Sequence, residues 1–195
     1  RGDALPDTSW TKDHCSHIIV TGSAAMITEQ QDWMLATQKW LQSIILDIPT
    51  LGVCFGHQLL ADMLGGKVSY NPMGRNMGQD MCTLTAEGMV DPLFAFHAKL
   101  QLKTWVSHLQ TVERLPRTAI RLATCEKDSN HAFRYQKHVY GVQFHPEWNA
   151  RIMQAYIQDR MTSLLDENLN PNLMLAEAAN EIHTGTLLEQ FIHNM

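Results

Sequence analysis

The sequence has no apolar run that approaches the length of about 18 residues that a transmembrane helix requires. It also lacks an opening in which a charged segment is followed by an apolar one, the pattern typical of a secretory signal. Basic residues are not in excess, because 15 Lys and Arg stand against 20 Asp and Glu, which gives a formal charge of −5. We therefore expect a cytoplasmic protein that binds neither membranes nor nucleic acids.

Cysteine is scarce, and the four residues at positions 15, 54, 82 and 125 are too scattered for a disulfide framework or a Cys-x-x-Cys zinc motif. The ten histidines include no pair at helical i, i+4 spacing with a third ligand nearby, so the sequence predicts no metal site. A glycine-rich phosphate loop is missing as well, and we expect no cofactor. Small molecules or another protein are the expected partners.

The chain has the size and pattern of one layered domain. With 195 residues and 45% hydrophobic content it can bury one core, and we expect a single domain over residues 1–195. Residues 16–21 and 49–54 have the pattern of strands, and apolar residues at helical spacing over 33–44 predict a helix between them. A capping-box pattern that begins at Thr28 predicts the start of this helix. This alternation predicts an α/β sandwich with a mostly parallel central sheet flanked by helices. Turn signals between 67 and 112 predict an additional small antiparallel region.

The most informative run places Cys54 between Gly52 and Gly56, at the point where an apolar strand turns into a helix. A side chain at the tip of such a turn projects alone above the sheet, and the strained backbone there favours glycine neighbours. The helix N-terminus favours a thiolate, and the N–H of Phe55 is a ready oxyanion donor. The pattern predicts a nucleophile, and the alternative for Cys54 is a small buried hydrophobe.

A candidate base stands at the end of the strand predicted at 138–144. His145 falls where that strand runs out, and Pro146 cannot continue the ladder. Glu147, two residues further, can reach back to the imidazole. A Cys–His pair oriented by a carboxylate is the arrangement for acyl transfer through a covalent thioester. The alternative is a solvent-exposed pair at a strand end.

Gly-x-Cys-x-Gly-x-Gln, followed about ninety positions later by His-Pro-Glu, resembles the class I (triad-type) glutamine amidotransferases. The resemblance covers roughly residues 15 to 150 and is closest to stand-alone domains similar to the amidotransferase half of GMP synthase. It implies a flavodoxin-like layered fold. It also implies Cys54 as the nucleophile, His145 as the base and Glu147 as the orienting partner of the base.

The resemblance also implies residues of a substrate pocket. Gln58 matches a glutamine that helps to shape that pocket, whereas His57 beside it is interpreted as a solvent-facing helix residue. Gly22 matches the loop whose backbone N–H completes the oxyanion hole, although the chain reads Gly-Ser-Ala-Ala where the family has Gly-Gly-Pro-Gly. Ser107 and His108 match a loop that lines the glutamine pocket, but Leu-Gln follows where the family continues to an aspartate.

The family has an additional strand and helix before the Gly22 loop, which this sequence reaches after only about twenty residues. We therefore expect that an N-terminal segment of the protein lies outside this sequence.

The reaction implied by the resemblance is hydrolysis of the glutamine side-chain amide through a γ-glutamyl thioester on Cys54. Ammonia would then pass to an acceptor on another polypeptide, a synthase partner. Two alternatives stay open from the sequence. One is a γ-glutamyl peptidase that uses the same triad on another γ-glutamyl compound without a partner. The other is a non-catalytic module that binds a synthase or a metabolite.

Overall fold

The computed structural model describes residues 4–97, 99–182 and 184–195. Within these residues the strands are β1 (Ile18–Val20), β2 (Thr50–Val53), β3 (Lys67–Tyr70), β4 (Asn76–Leu84), β5 (Gln101–His108), β6 (Gln110–Arg114), β7 (Ile120–Thr124), β8 (Ala132–Tyr135) and β9 (Val139–Val142). The helices are α1 (Thr8–His14), α2 (Asp32–Gln42), α3 (Phe55–Met63), α4 (Ala86–Val90), α5 (Ala150–Asp159), α6 (Met161–Asp166), α7 (Pro171–Glu177) and α8 (Thr186–Asn194). Among the residues described, no helix combines the length and the apolarity that spanning a bilayer would require.

The main sheet has seven strands in the order β1-β2-β9-β8-β7-β4-β5, and a separate two-stranded sheet pairs β3 with β6. The α/β class with flanking helices and the antiparallel region are confirmed. The expectation of a mostly parallel sheet needs correction, because only β1, β2 and β9 pair in parallel and the other pairings are antiparallel. Short connections such as the turn between β8 and β9, where Gln136 has φ 54°, can join only antiparallel neighbours.

Hydrophobic side chains fill both faces of the main sheet. In β9, Val139 packs with α2 and α3, whereas the next residue, Tyr140, packs with α8. This alternation is expected because successive side chains of a strand point to opposite faces. A third cluster gathers α5, α6 and α7 around Trp105 and Trp148. Packed side chains therefore cover both faces of the sheet near the ends of its parallel strands.

The capping-box pattern at Thr28 does not start α2, which begins at Asp32 after a 3-10 turn at Ile27–Glu29. The reason is that a distant amide occupies the capping groups. The backbone N–H of Ile27 donates to Gln110 Oε1 at 2.9 Å, and Gln110 Nε2 donates to the Thr28 hydroxyl at 2.6 Å. The hydroxyl that would have capped the helix is therefore engaged with β6.

Close approach of α3 to the parallel strands positions the turn at Cys54. A Cβ atom on Gly52 would lie 2.5 Å from the carbonyl group of Gly56, and one on Gly56 would overlap the carbonyl oxygen of Val20. Only glycine leaves room for the first turn of the helix at these two points. The side chain of Cys54 is thereby held at the carboxyl ends of β1, β2 and β9.

We expect Gly56→Ala to destabilise the fold by about 3 kcal/mol or more, because backbone atoms must shift to admit the methyl group. Gly185→Ala is the matched control, since its Cβ would meet only the carbonyl oxygen of Pro146 at 3.9 Å. Urea unfolding of both variants measures the difference. Equal stability of the two variants would contradict this account of the turn.

Candidate active site

Cys54 occupies a strained backbone conformation between β2 and α3. Its φ of 51° and ψ of −101° lie outside the regions that non-glycine residues ordinarily adopt. Its N–H donates to the carbonyl oxygen of Val142 at 2.9 Å, so the strained residue is tied to β9. The first N–H groups of any helix lack intrahelical acceptors, and in α3 these include the N–H of Phe55. This geometry agrees with the turn that the sequence pattern predicts.

His145 and Glu147 lie together immediately after β9. The Nδ1 atom of His145 lies 2.7 Å from Glu147 Oε1, which assigns the proton to Nδ1 and leaves Nε2 for a second partner. The imidazole is buried, and the backbone N–H of His145 donates to the carbonyl oxygen of Trp105 at 2.8 Å. The Glu147 carboxylate is partly exposed at 39%. The histidine is therefore fixed from two sides while its carboxylate partner reaches solvent.

The charge of His145 depends on its two side-chain partners. Burial of the imidazole lowers its pKa, but the neighbouring Cys54 side chain and the Glu147 carboxylate more than offset burial and raise the pKa to about 9. The ring of Trp148 also stacks on this imidazole, with ring centroids 3.7 Å apart and planes 9° from parallel. An aromatic face favours a cation above it. These contacts favour the protonated form of His145.

Gly22 lies against both members of the Cys–His pair. A Cβ atom there would come 3.0 Å from His145 Cε1 and 3.8 Å from Cys54 Cβ. The backbone of the Gly22 loop therefore closes over the reactive groups without a side chain between them. In the same loop the Ser23 hydroxyl accepts from the N–H of Ala25 at 3.2 Å, which gives the Gly-Ser-Ala-Ala run a local turn of its own.

Gln58 and His108 are tied to one backbone carbonyl on the cleft wall. Gln58 Nε2 donates to the carbonyl oxygen of Gln110 at 2.7 Å and to Gln143 Oε1 at 2.9 Å. His108 Nδ1 donates to the same carbonyl at 2.8 Å. Burial lowers the pKa of His108 to about 4, so its ring is neutral. The carbonyl oxygen of Ser107, next along the strand, lies 3.7 Å from Cys54 Sγ.

His57 is not the solvent-facing residue expected from the sequence. Its side chain is fully buried under the sheet, with its ring centroid 5.0 Å from that of Phe133. The backbone of Gly141 leaves room for it, because a Cβ there would lie 2.6 Å from His57 Nδ1. Burial lowers the pKa of His57 to about 4. His57 is therefore a neutral packing residue between α3 and β9.

One cleft of about 990 Å³ brings together all eight site residues predicted from the sequence, which are Gly22, Cys54, Phe55, Gln58, Ser107, His108, His145 and Glu147. The sequence reasoning missed the residues that extend the cleft beyond the Cys–His pair, which are Trp33, Arg75, Trp148, Tyr156 and Arg160. The only sequence signal for Trp148 was its position directly after His-Pro-Glu. The others come from distant elements and carried no signal.

The two arginines of the cleft differ in how strongly their charge is paired with a carboxylate. Arg75 forms two 2.7 Å hydrogen bonds with the carboxylate of Glu167, so its charge is already paired. The guanidinium of Arg160 lies 4.4 Å above the ring of Tyr156 and 3.0 Å from the largely exposed Asp159 carboxylate. Since an exposed ion pair is weak, Arg160 is the more available cation at this end of the cleft.

Comparison with known proteins identifies a family and several relatives of this chain. A family model described as glutamine amidotransferase class-I matches residues 4–163. Gamma-glutamyl peptidase 5 of Arabidopsis thaliana is 30% identical over 155 residues, which cover 78% of this chain and 61% of that protein. A subunit of the glutamine-hydrolyzing GMP synthase of Natronomonas pharaonis is 40% identical over 103 residues, which cover 52% of this chain and 54% of that protein.

The solved structures that are similar to this chain agree with the family that the sequence comparison identifies. A glutamine amidotransferase from Thermotoga maritima matches with a TM-score of 0.76 and 26% identity, over 93% of this chain and 78% of that one. A glutamine amido transferase from Methylobacillus flagellatus shares the fold, with a TM-score of 0.74 at 21% identity, over 98% of this chain and 77% of that one. The matched region spans about half to three fifths of the length of the two curated relatives.

A glutamine-mimicking electrophile should modify Cys54 at least about tenfold faster than the other three cysteines. Burial raises the pKa of the Cys82 and Cys125 thiols far above the ordinary value, which leaves them unreactive. Cys15 lies at the end of α1, outside the cleft that holds the base. Peptide mass mapping after brief labelling measures the rates. Equal labelling, or labelling mainly at Cys125, would count against a nucleophilic Cys54.

The contribution of the protonated His145 side chain to the free energy of unfolding should be lost at alkaline pH. A folded-state pKa of about 9, above the ordinary 6.5, means that stability from its protonation is fully present below pH 6.5. This stability is lost as the pH rises from 6.5 to 9, and it amounts to roughly 3 kcal/mol. Urea unfolding of the parent chain and His145→Gln across this range isolates the effect. The same pH slope in both proteins would refute it.

Proposed function

The chain belongs to the class-I glutamine amidotransferase family, and from this premise we propose that it hydrolyses a γ-glutamyl amide, with free glutamine as the substrate. The observation that supports this most strongly is the arrangement of Cys54, His145 and Glu147 within one cleft, at the tip of a strand-to-helix turn. A thiol, a nearby imidazole and a carboxylate hydrogen-bonded to that imidazole are the parts needed for covalent acyl transfer.

In the first half of the proposed reaction, the Cys54 thiolate attacks the side-chain carbonyl carbon of glutamine. The oxyanion that forms is held by the N–H of Phe55 and by the N–H of Gly22, whose backbone lies against both reactive side chains. His145 is already protonated, so it gives its Nε2 proton to the departing ammonia. The C–N bond breaks and a γ-glutamyl thioester is left on Cys54.

In the second half, neutral His145 takes a proton from a water molecule that attacks the thioester carbon. The C–S bond breaks, glutamate leaves and the thiolate–imidazolium pair is restored. Glu147 holds the Nδ1 proton throughout at 2.7 Å and stabilises the imidazolium at each end of the cycle. Gln58 and Gln110 both line the cleft, and the hydrogen bond between them holds its wall in place.

We further propose that the ammonia is delivered to a synthase on another polypeptide. Support comes from the matched relatives that are each named as a subunit of the glutamine-hydrolyzing GMP synthase, a name that describes one part of a larger enzyme. The chain itself carries no glycine-rich phosphate loop in its sequence. The cytoplasmic location expected from the sequence stays a prediction.

A second candidate is hydrolysis of a γ-glutamyl peptide or conjugate without a partner. Two observations favour it over a non-catalytic binding role. One is the similarity to gamma-glutamyl peptidase 5. The other is the cleft volume of about 990 Å³, at the upper end of the roughly 300–1,000 Å³ typical of pockets that enclose ligands much larger than an amino acid. Arg160 and Tyr156 line the same cleft, and we propose that a second residue of such a substrate contacts them.

Glutamate release from glutamine and from γ-glutamyl dipeptides distinguishes these functions. The isolated chain should hydrolyse glutamine slowly, because the Gly22 loop lacks the proline that stiffens it in the family and would be held productive by docking. Cys54→Ser should abolish release, whereas Cys15→Ser should leave it unchanged. Turnover of a γ-glutamyl peptide above about 1 per second without a partner would favour the peptidase instead. No release from either substrate, with retained binding, would indicate the non-catalytic module.

A further inference from the structure

A buried cluster of metal-ligating side chains lies behind the cleft wall. His108 stands at the end of β5, and Asp128 and His131 come from the connection between β7 and β8. Their side chains are 5%, 2% and 0% exposed, respectively. One ligand atom from each of the three residues lies within 4.8 Å of the other two. Two imidazoles and a carboxylate thus meet where the sheet excludes water.

Each member of this cluster presents a polar atom without a hydrogen-bond partner among the described residues. His108 gives its Nδ1 proton to the carbonyl oxygen of Gln110 at 2.8 Å, so the lone pair lies on Nε2, which is unpartnered. Asp128 Oδ1 accepts from the N–H of Asn130 at 2.9 Å, but Oδ2 is unpartnered. His131 Nε2 is unpartnered too, and its Nδ1 lies 3.5 Å from Asp128 Oδ2, longer than a good hydrogen bond.

Such unpartnered atoms are costly in a protein interior, at about 1–3 kcal/mol each, and call for a physical explanation. A proton shared within the cluster could satisfy at most one pair of them. A cation bound by one ligand atom of each residue would satisfy the unpartnered atoms of His108 and Asp128 together and would also engage one ring nitrogen of His131. The orientation of His108 fits that explanation, because a metal-bound histidine ordinarily donates its other ring N–H to a backbone carbonyl or a carboxylate.

A second group of ligands leads from this cluster towards the surface. Asp80, Cys125 and His131 also have ligand atoms within 4.8 Å of one another, and His131 belongs to both groups. Asp80 and Cys125 are only half-buried. Cys125 Sγ lies 3.5 Å from His131 Nδ1. The two groups form a continuous row of ligands from solvent to the buried cluster.

We propose that His108, Asp128 and His131 bind a divalent transition-metal ion of the zinc type, which enters past Asp80 and Cys125. Zn²⁺ binds imidazole nitrogens together with carboxylate oxygens, whereas Mg²⁺ and Ca²⁺ prefer ligand sets made of oxygen alone. The proposal departs from the sequence-based expectation of no metal site, which rested on spacing along one helix. Here the ligands come from the end of one strand, β5, and from the connection between β7 and β8.

The bound ion would brace the wall of the cleft. His108 follows Ser107, whose carbonyl oxygen contacts Cys54 Sγ at 3.7 Å, so joining His108 to the β7–β8 connection limits movement of that contact. This role is structural and adds no step to the reaction. It also leaves the proposed site independent of which γ-glutamyl compound the enzyme hydrolyses.

Zinc titration against a chromophoric chelator tests the proposal, in a Cys54→Ser background so that the catalytic thiol cannot bind the ion. We expect one equivalent of Zn²⁺ to bind, with Mg²⁺ unable to compete. Asp128→Asn and His131→Gln should each weaken binding at least about tenfold. His193→Gln removes an exposed histidine near the C-terminus and should leave binding unchanged. Zinc binding that survives both buried substitutions, or that requires Cys54, would overturn the proposal.

A measurement without mutation decides the case if either buried substitution prevents folding. Anomalous diffraction at the zinc edge from zinc-soaked crystals should show a peak about 2.0–2.2 Å from the three ligand atoms. Zinc at a hundredfold excess over its Kd should also raise the melting temperature by roughly 5–10 °C. A peak elsewhere, or no peak and no thermal shift, would show that the cluster is a metal-free histidine–aspartate network.

Discussion

The lack of space between the first turn of α3 and the parallel strands is the constraint on which the candidate active site depends. Gly52 and Gly56 are the points of contact, and no side chain fits at either. Because the helix lies so close, the chain can leave β2 only through a residue with a strained backbone, and that residue is Cys54. The same approach aims the helix N–H groups at the space above the thiol. The position, strain and electrostatic surroundings of Cys54 thus share one steric cause.

The second constraint is electrostatic and concerns the charge of His145, whose side chain is buried. Burial alone would favour a neutral imidazole, as it does for His57 and His108, whose pKa values fall to about 4. His145 differs because it has a carboxylate on one ring nitrogen, the Cys54 side chain nearby and an aromatic ring stacked on it. Of these three buried histidines, His145 alone has a raised pKa, and it is the one that we propose as the acid.

The fold class and the residues Cys54, Phe55, His145 and Glu147 could be predicted from local patterns in the sequence. Gly22, Gln58, Ser107 and His108 were implied only by the family resemblance. The glycines around Cys54 and the proline after His145 act within a few residues, where backbone sterics decide the conformation. The strand directions were predicted less well, since the antiparallel pairing of β7 with β8 depends on short connections whose lengths the pattern leaves open. The start of α2 was mispredicted because its capping hydroxyl bonds to Gln110, which is distant in sequence.

Gln110 shows why the rest of the site is invisible to local patterns. Its side chain holds the turn at Ile27 and Thr28, which follows the Gly22 loop, while its backbone carbonyl accepts from Gln58 and His108. One residue thereby connects the candidate oxyanion loop, the cleft wall and the buried ligand cluster. The amide of Gln110 accepts from the N–H of Ile27 and donates to the Thr28 hydroxyl, so it ties the turn that follows the Gly22 loop to β6. The carbonyl oxygen of the same residue holds the cleft wall through Gln58, and the loop and the wall therefore depend on one position.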